Sequence, residues 1–164
     1  MRKTSKNLAY GAMIAAMYAA ITHLQNILIP GSATWAIQFR LSEALCVLAF
    51  FTPAAIPGLA VGCFVFNLTY AGALPLDAIV GTAATALATA AMYFTRNITC
   101  KKIPWLGLTM PALFNAFLVG WELTVYIGGG FWLNCLYVAI GELAVLLLAG
   151  TLLYVTLQKR KTIF

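Results

Sequence analysis

Charge is what this chain has least of. Of its 164 residues 9% are charged and 63% are hydrophobic, with a mean hydropathy of +0.93, where soluble domains carry roughly 25% charged residues. That deficit excludes an ordinary soluble surface. The apolar area has to go into lipid and helix contacts, so a single all-α integral membrane domain over 1–164 is expected. Acid is scarcest: Glu43, Asp77, Glu122 and Glu142 are the only four acidic residues, and each lies in or beside an apolar segment. Cys46, Cys63, Cys100 and Cys135 are widely spaced and His23 stands alone, so no CxxC or Cys/His cluster offers a metal centre. HExxH, GxSxG and P-loop patterns are missing, which leaves covalent catalysis and ATP hydrolysis by this chain without support. Neither enzymatic activity nor a cofactor is expected. The lack of an internal repeat counts against the doubled architecture of many secondary carriers.

The formal charge of +6 is no sign of nucleic acid. Nine of the ten basic residues fall in three patches (Arg2, Lys3, Lys6; Arg96, Lys101, Lys102; Lys159, Arg160, Lys161), all at the flanks of apolar spans. Cytoplasmic loops collect Lys and Arg in this way. The patches therefore predict six transmembrane helices with both termini in the cytoplasm. The basic start followed by an apolar run is too long for a signal-peptide core and reads as a retained span.

Span one, Asn7–Ile29, carries two adjacent rows of small residues, Gly11/Ala15/Ala19 and Ala12/Ala16/Ala20. Such rows let helices approach closely where lipid removes the hydrophobic drive, and two of them leave room for an external helical partner. Span two, Leu41–Thr52, is short against the about 20 residues a bilayer asks for, and is expected to begin earlier, tilt, or lie partly inside protein. Span three, Gly58–Ala71, carries Asn67 and Tyr70 at its outer end. Asp77 precedes span four, Ala78–Phe94, as an N-cap residue would. Span five, Pro104–Ile127, contains a kinking Pro111 and aligns Asn115, Glu122 and Tyr126 on one face beside Trp121. The triple glycine 128–130 then turns the chain into span six, Phe131–Leu157, with Asn134 and Glu142.

The stretch Ile37–Phe51, IQFRLSEALCVLAFF, organises these parts. It opens with an alternating segment, Trp35–Arg40, read as a short strand and as a lid over a ligand, then turns helical at Ser42 and Glu43. Arg40 and Glu43 stand three apart, within reach of a pair. Gln38, Arg40, Glu43, Asn67, Tyr70, Trp121, Glu122 and Asn134 all fall in the outer half, with Asn115 and Glu142 deeper. Ionised carboxylates inside a membrane mark functional sites by default. Up to four carboxylates, one arginine and aromatic planes from Trp35, Tyr70, Trp121, Tyr126 and Trp132 suit a small, flat, donor-rich or cationic ligand; an anion would meet the wrong field.

The alanine-rich first helix with its AxxxA strip, the gated outer loop and six short spans resemble the substrate-binding S-component of an energy-coupling-factor (ECF) transporter. Within that class the R-x-S-E-A-L core, Arg40–Leu45, followed by an apolar run and a proline turn, is similar to the QueT family of queuosine-precursor transporters. The resemblance implies a bacterial plasma-membrane protein that binds a 7-deazaguanine such as preQ1 or queuine without converting it. It also implies docking of a transmembrane scaffold (T) subunit, coupled to two ATPase subunits, along Ala12, Ala16 and Ala20. Rival readings are an S-component for another flat vitamin-like molecule, a proton-coupled carrier using Glu122, Glu142 and His23, and a membrane enzyme.

Overall fold

The computed structural model describes residues 3–32 and 37–160. Arg2, Lys161 and the Trp35–Ala36 part of the expected strand and lid lie outside them. Five long helical stretches surround a sixth: α1 (Lys3–Leu28), a 3₁₀ helix (Leu41–Phe50), α2 (Ala55–Thr69), α3 (Asp77–Thr95), α4 (Trp105–Tyr126), α5 (Phe131–Val145) and α6 (Thr151–Lys159). A π turn, Leu146–Gly150, joins α5 to α6, so Phe131–Lys159 runs as one helix. Three of these stretches, Asp77–Thr95, Trp105–Tyr126 and Phe131–Lys159, are long and apolar enough to cross a membrane. Leu41–Phe50 and Ala55–Thr69 are apolar but shorter. Among the described residues the only β-pairing is one antiparallel bridge, Cys100 to Ile103, closing the α3–α4 turn.

The helices pack in chain order, α1 on α2, α2 on α3, α3 on α4 and α4 on α5, and every one of them touches the central 3₁₀ helix. That segment shows how a short run reaches far. At roughly 2.0 Å per residue a 3₁₀ helix is a third longer than an α-helix of the same ten residues. Its threefold repeat gives three stacked rows, and past Leu41 at its head nothing on them reaches the surface: Ser42 through Phe50 are all buried. Tyr18, Leu59, Cys63, Met92, Leu108 and Tyr154 close around it as the hydrophobic core. Of the three expectations for the short Leu41–Thr52 segment, the one found is burial inside the protein, as a 3₁₀ helix. Pro53 then breaks the chain.

The two small rows of α1 have separate fates. Gly11 and Ala15 face α2, where a Cβ on Gly58 would sit 2.7 Å from the Gly11 carbonyl oxygen, and one on Gly62 would sit 2.8 Å from that of Ala15. Backbones this close tolerate only glycine. Ala12, Ala16 and Ala20 lie on the exposed face. A second close crossing occurs where Gln38 passes over α5: a Cβ on Gly141 would collide with the Gln38 carbonyl oxygen. That crossing fixes the outer loop against the last helix.

Two expectations are corrected. Asp77 is the first helical residue and Leu76 holds the cap position, with no side-chain cap bond. The Asp77 carboxylate instead turns back to accept the Leu74 N–H at 2.7 Å, tightening the loop before α3. Ile37–Arg40, the described part of the expected strand, joins no β-ladder.

We expect Gly62→Ala to push α1 off α2 and lower stability by about 1–3 kcal/mol, the usual cost of overpacking. A thermal melt of the detergent-solubilised protein checks this; an unchanged midpoint would show that the crossing has slack.

Candidate functional site

Polar side chains gather at the end of the bundle opposite the basic termini, and the fold brings them there from six segments. On α1 they are Tyr18, Thr22, Gln25 and Asn26, spaced to share the face turned away from the exposed alanines. The Tyr18 hydroxyl donates to the Glu43 carboxylate, whose other oxygen accepts the Cys46 thiol at 3.1 Å. The 3₁₀ repeat puts residues 43 and 46 directly in line, so Cys46 reaches Glu43 within its own helix. Thr22 pairs with the Ser42 hydroxyl at 2.6 Å. Gln25 clamps the ends of the outer loop: its amide donates to Ser32 Oγ at 2.9 Å and to the Phe39 carbonyl, and its oxygen accepts the Leu41 N–H at 2.8 Å.

Arg40 is buried at the head of the 3₁₀ helix, where its Nη1 donates to Cys63 Sγ at 3.7 Å and its guanidinium lies 5.6 Å from the Phe66 ring centre. Tyr70 stacks on the other part of this aromatic pair, 5.3 Å from Phe66 and nearly parallel. Asn67, one helical turn from Cys63, donates to its sulfur at 3.5 Å and to the Asp77 backbone carbonyl at 2.8 Å, tying α2 to the start of α3. Deeper in the bundle, Asn115 of α4 donates to Glu142 Oε1 of α5 at 3.0 Å.

All four carboxyl groups of the chain converge on this region. Glu43 and Arg40 both act electrostatically on Glu142, while Asp77 and Arg40 act on Glu122. With every carboxyl ionised, the single guanidinium would leave three negative charges unmatched. Most of the unused hydrogen-bonding capacity has the same sign. Glu122 is fully buried, yet neither of its carboxylate oxygens meets a donor; Glu142 Oε2 and Asn67 Oδ1 are likewise buried without a partner. All of these are acceptors, and a buried acceptor without a donor costs about 1–3 kcal/mol or more when charged. The arrangement is complementary to a group rich in N–H donors or carrying positive charge.

Sequence reasoning and structure part company over the aromatics and one amide. Trp121 is 49% exposed, because one residue along a helix is a rotation of roughly 100°, and Tyr126 and Trp132 are exposed at the facing ends of α4 and α5. Glu122 looking inward therefore turns Trp121 out. Trp35 lies outside the described residues. The aromatics that do reach the cluster are Phe66, buried under Arg40, and Tyr18. Asn134 is spent on the α4–α5 hairpin, donating to Thr124 Oγ1 at 2.9 Å and to the Gly128 carbonyl at 3.0 Å. Gln38 is buried where the loop crosses Gly141. Arg40, Glu43, Asn67, Asn115, Glu122 and Glu142 are brought together as expected; the hydrogen bonds to Glu43, however, come from Tyr18 and Cys46. Tyr18, Ser42 and Cys63 were missed as members of the cluster, and Asp77, counted among its carboxylates, was read as a helix cap. The i, i+4 line from Tyr18 to Thr22 to Asn26, opposite the alanine strip, was the readable signal for the first of them. His23 meets Thr69 Oγ1 at 2.9 Å beside Phe66, an interfacial contact.

An all-helical bundle with apolar membrane-length helices, closing around a polar cluster at one end, defines a membrane protein with an internal polar site and not a soluble receptor. A family model described as QueT transporter matches residues 8–159, and the chain belongs to that transporter family. No curated protein and no solved structure matches it.

Removing the Tyr18 hydroxyl strips a donor from a buried carboxylate. Tyr18→Phe is expected to cost about 1.5–3 kcal/mol, the range for hydrogen bonds to charged groups. Denaturant unfolding of the purified variant measures it, and wild-type stability would show that the bond contributes nothing net.

Proposed function

We propose that this transporter-family chain is the substrate-binding S-component of an ECF transporter, taking up a 7-deazaguanine such as preQ1 or queuine. In this reading it crosses a bacterial plasma membrane six times with both termini in the cytoplasm. It performs no chemistry on its cargo and needs no cofactor. The observation that carries the reading is the set of buried, donorless acceptors: both oxygens of Glu122, Glu142 Oε2 and Asn67 Oδ1. A guanine-like edge presents an N1–H and a 2-amino group side by side, and one carboxylate accepts both in the bidentate geometry that makes such bonds strong. The base carbonyl needs a donor, for which the buried Arg40 and Asn115 are candidates. Phe66 and Tyr70 offer a flat apolar surface beside Arg40.

Energising partners enter through α1. Its inner small row is used against Gly58 and Gly62, while Ala12, Ala16 and Ala20 remain exposed. That division supports docking of a transmembrane scaffold subunit along the outer row, with two ATPase subunits behind it. Ala16 faces away from the polar residues of α1, so docking and substrate binding draw on opposite sides of one helix.

Glu122→Gln keeps the side-chain shape but turns one acceptor into a donor that faces the ligand's N–H. We expect affinity for the base to fall about a hundredfold, equivalent to roughly 3 kcal/mol, with the melting temperature held. Calorimetric titration beside a thermal melt decides it: wild-type affinity with lowered stability would make Glu122 a staple between helices and remove the main support for the reading. Ala16→Trp is expected to abolish uptake in cells while the isolated protein still binds the base. Normal uptake and assembly by that variant would show that docking lies elsewhere.

A further inference from the structure

The turn between α3 and α4 is built against the preferences of its residues. Cys100 and Ile103 exchange both backbone hydrogen bonds, at 2.9 and 3.1 Å, so Lys101 and Lys102 alone make the bend. Both take left-handed backbone, with φ of 50° and 68°. Asparagine and glycine adopt that geometry readily; here two lysines fill it. A turn this tight gives the lysine side chains a fixed point of departure. Lys102 borders a groove of about 370 Å³ whose other walls are Val155, Gln158 and Lys159, near the end of α6. Two basic patches distant in sequence thus meet at one groove.

The chemistry of this groove is one-sided. Its polar side chains are two ammonium groups and one amide, and the four acidic residues all lie in the cluster at the opposite end of the bundle. Arg96 takes no part: its guanidinium lies 3.9 Å from the Tyr93 ring centre and donates to the Tyr93 carbonyl at 2.6 Å. Gln158 is placed by Tyr154, to whose hydroxyl its amide donates at 3.5 Å and whose ring packs on Phe50 and Phe51. The floor is apolar. Val155 is partly buried against the core, and the row it belongs to runs on through Leu152 and Leu148, both widely exposed.

We infer that the groove seats the phosphate headgroup of an anionic phospholipid, with one acyl chain along the Val155, Leu152 and Leu148 row. Two ammonium groups with no acid beside them call for an anion. An exposed apolar row leading away from them calls for a hydrocarbon chain attached to that anion, whereas a free phosphate would use the lysines and leave the row idle. Basic pockets at the membrane flank bind such headgroups, and each lysine near the surface adds about fivefold in affinity. The inference needs a membrane-spanning chain and does not depend on the cargo.

The test uses the full-length purified protein in a neutral detergent. Phosphatidylglycerol and phosphatidylcholine with identical acyl chains are titrated in, and bound lipid is counted by native mass spectrometry. Wild-type protein should hold phosphatidylglycerol at least about tenfold more tightly, as two lysine contacts allow. Lys102→Asn removes a charge while suiting the left-handed turn, and should cut that preference about fivefold; adding Lys159→Gln should abolish it. Lys6→Gln removes one charge from α1, outside the groove, and should leave the preference unchanged. Equal retention of the two lipids by the wild-type protein overturns the inference and needs no variant to fold. An equal loss in Lys6→Gln and Lys102→Asn also overturns it, because the attraction would then belong to the whole basic end. So does an unchanged preference in a folded Lys102→Asn/Lys159→Gln protein. Inorganic phosphate at millimolar concentration separates the two sources of the anion: displacement of phosphatidylglycerol by phosphate assigns the groove to a free anion and overturns its assignment to a lipid.

Discussion

Unbalanced negative charge inside an apolar bundle is the constraint on which the rest depends. An ionised carboxylate at the centre of a membrane helix costs roughly 2.5–3.5 kcal/mol on insertion scales, and this chain places all of its carboxyl groups in one buried region with one arginine. The protein answers two of the four internally. Glu43 takes donors from Tyr18 and Cys46, and Asp77 takes the Leu74 N–H. Glu142 is half answered by Asn115, and Glu122 is left unanswered. A gradient from satisfied to unsatisfied carboxyl groups is what separates scaffolding from a binding surface in a protein whose other helix contacts are almost all apolar.

The central 3₁₀ helix makes that arrangement possible. From Ser42 to Phe50 it is surrounded on every side, so its polar residues need not choose between core and lipid. The threefold repeat aligns Glu43 with Cys46, and the extended Arg40 just before it turns its guanidinium onto Cys63 and Phe66 of α2. An α-helix over the same residues would be shorter and would rotate Cys46 off the line of Glu43. Local geometry of an unusual kind is therefore tied to the position of two charged groups.

Much of this could be read in the residues. Low charge, the three basic patches and the proline and glycine breaks located the helices to within a few residues at most ends, and scarcity of acid marked Glu43, Glu122 and Glu142. The aromatics could not be placed in the same way. Trp121 and Tyr126 sit beside or in line with Glu122 in sequence, but which of two adjacent helical residues turns inward depends on a neighbour that periodicity in an all-apolar helix does not reveal. Asn134 shows the opposite failure, a polar residue near the site consumed by the hairpin that the glycines create. Asp77 had the composition of a cap, and only the folding back of its loop onto Leu74 brings its carboxyl to Glu122. Cys63 reads as a small packing residue until Arg40 and Asn67 arrive from elsewhere to use its sulfur.

The close crossing of α1 and α2 has a mechanical side. With the Gly11 and Ala15 backbone in contact with Gly58 and Gly62, the two helices have no compliant layer of side chains between them. The pair presents the alanine row on its outer face and Tyr18, Cys63 and Asn67 on its inner face. In the proposed reading, a partner pressing on the alanines would press through this contact on the groups that hold Glu43, Arg40 and Asp77.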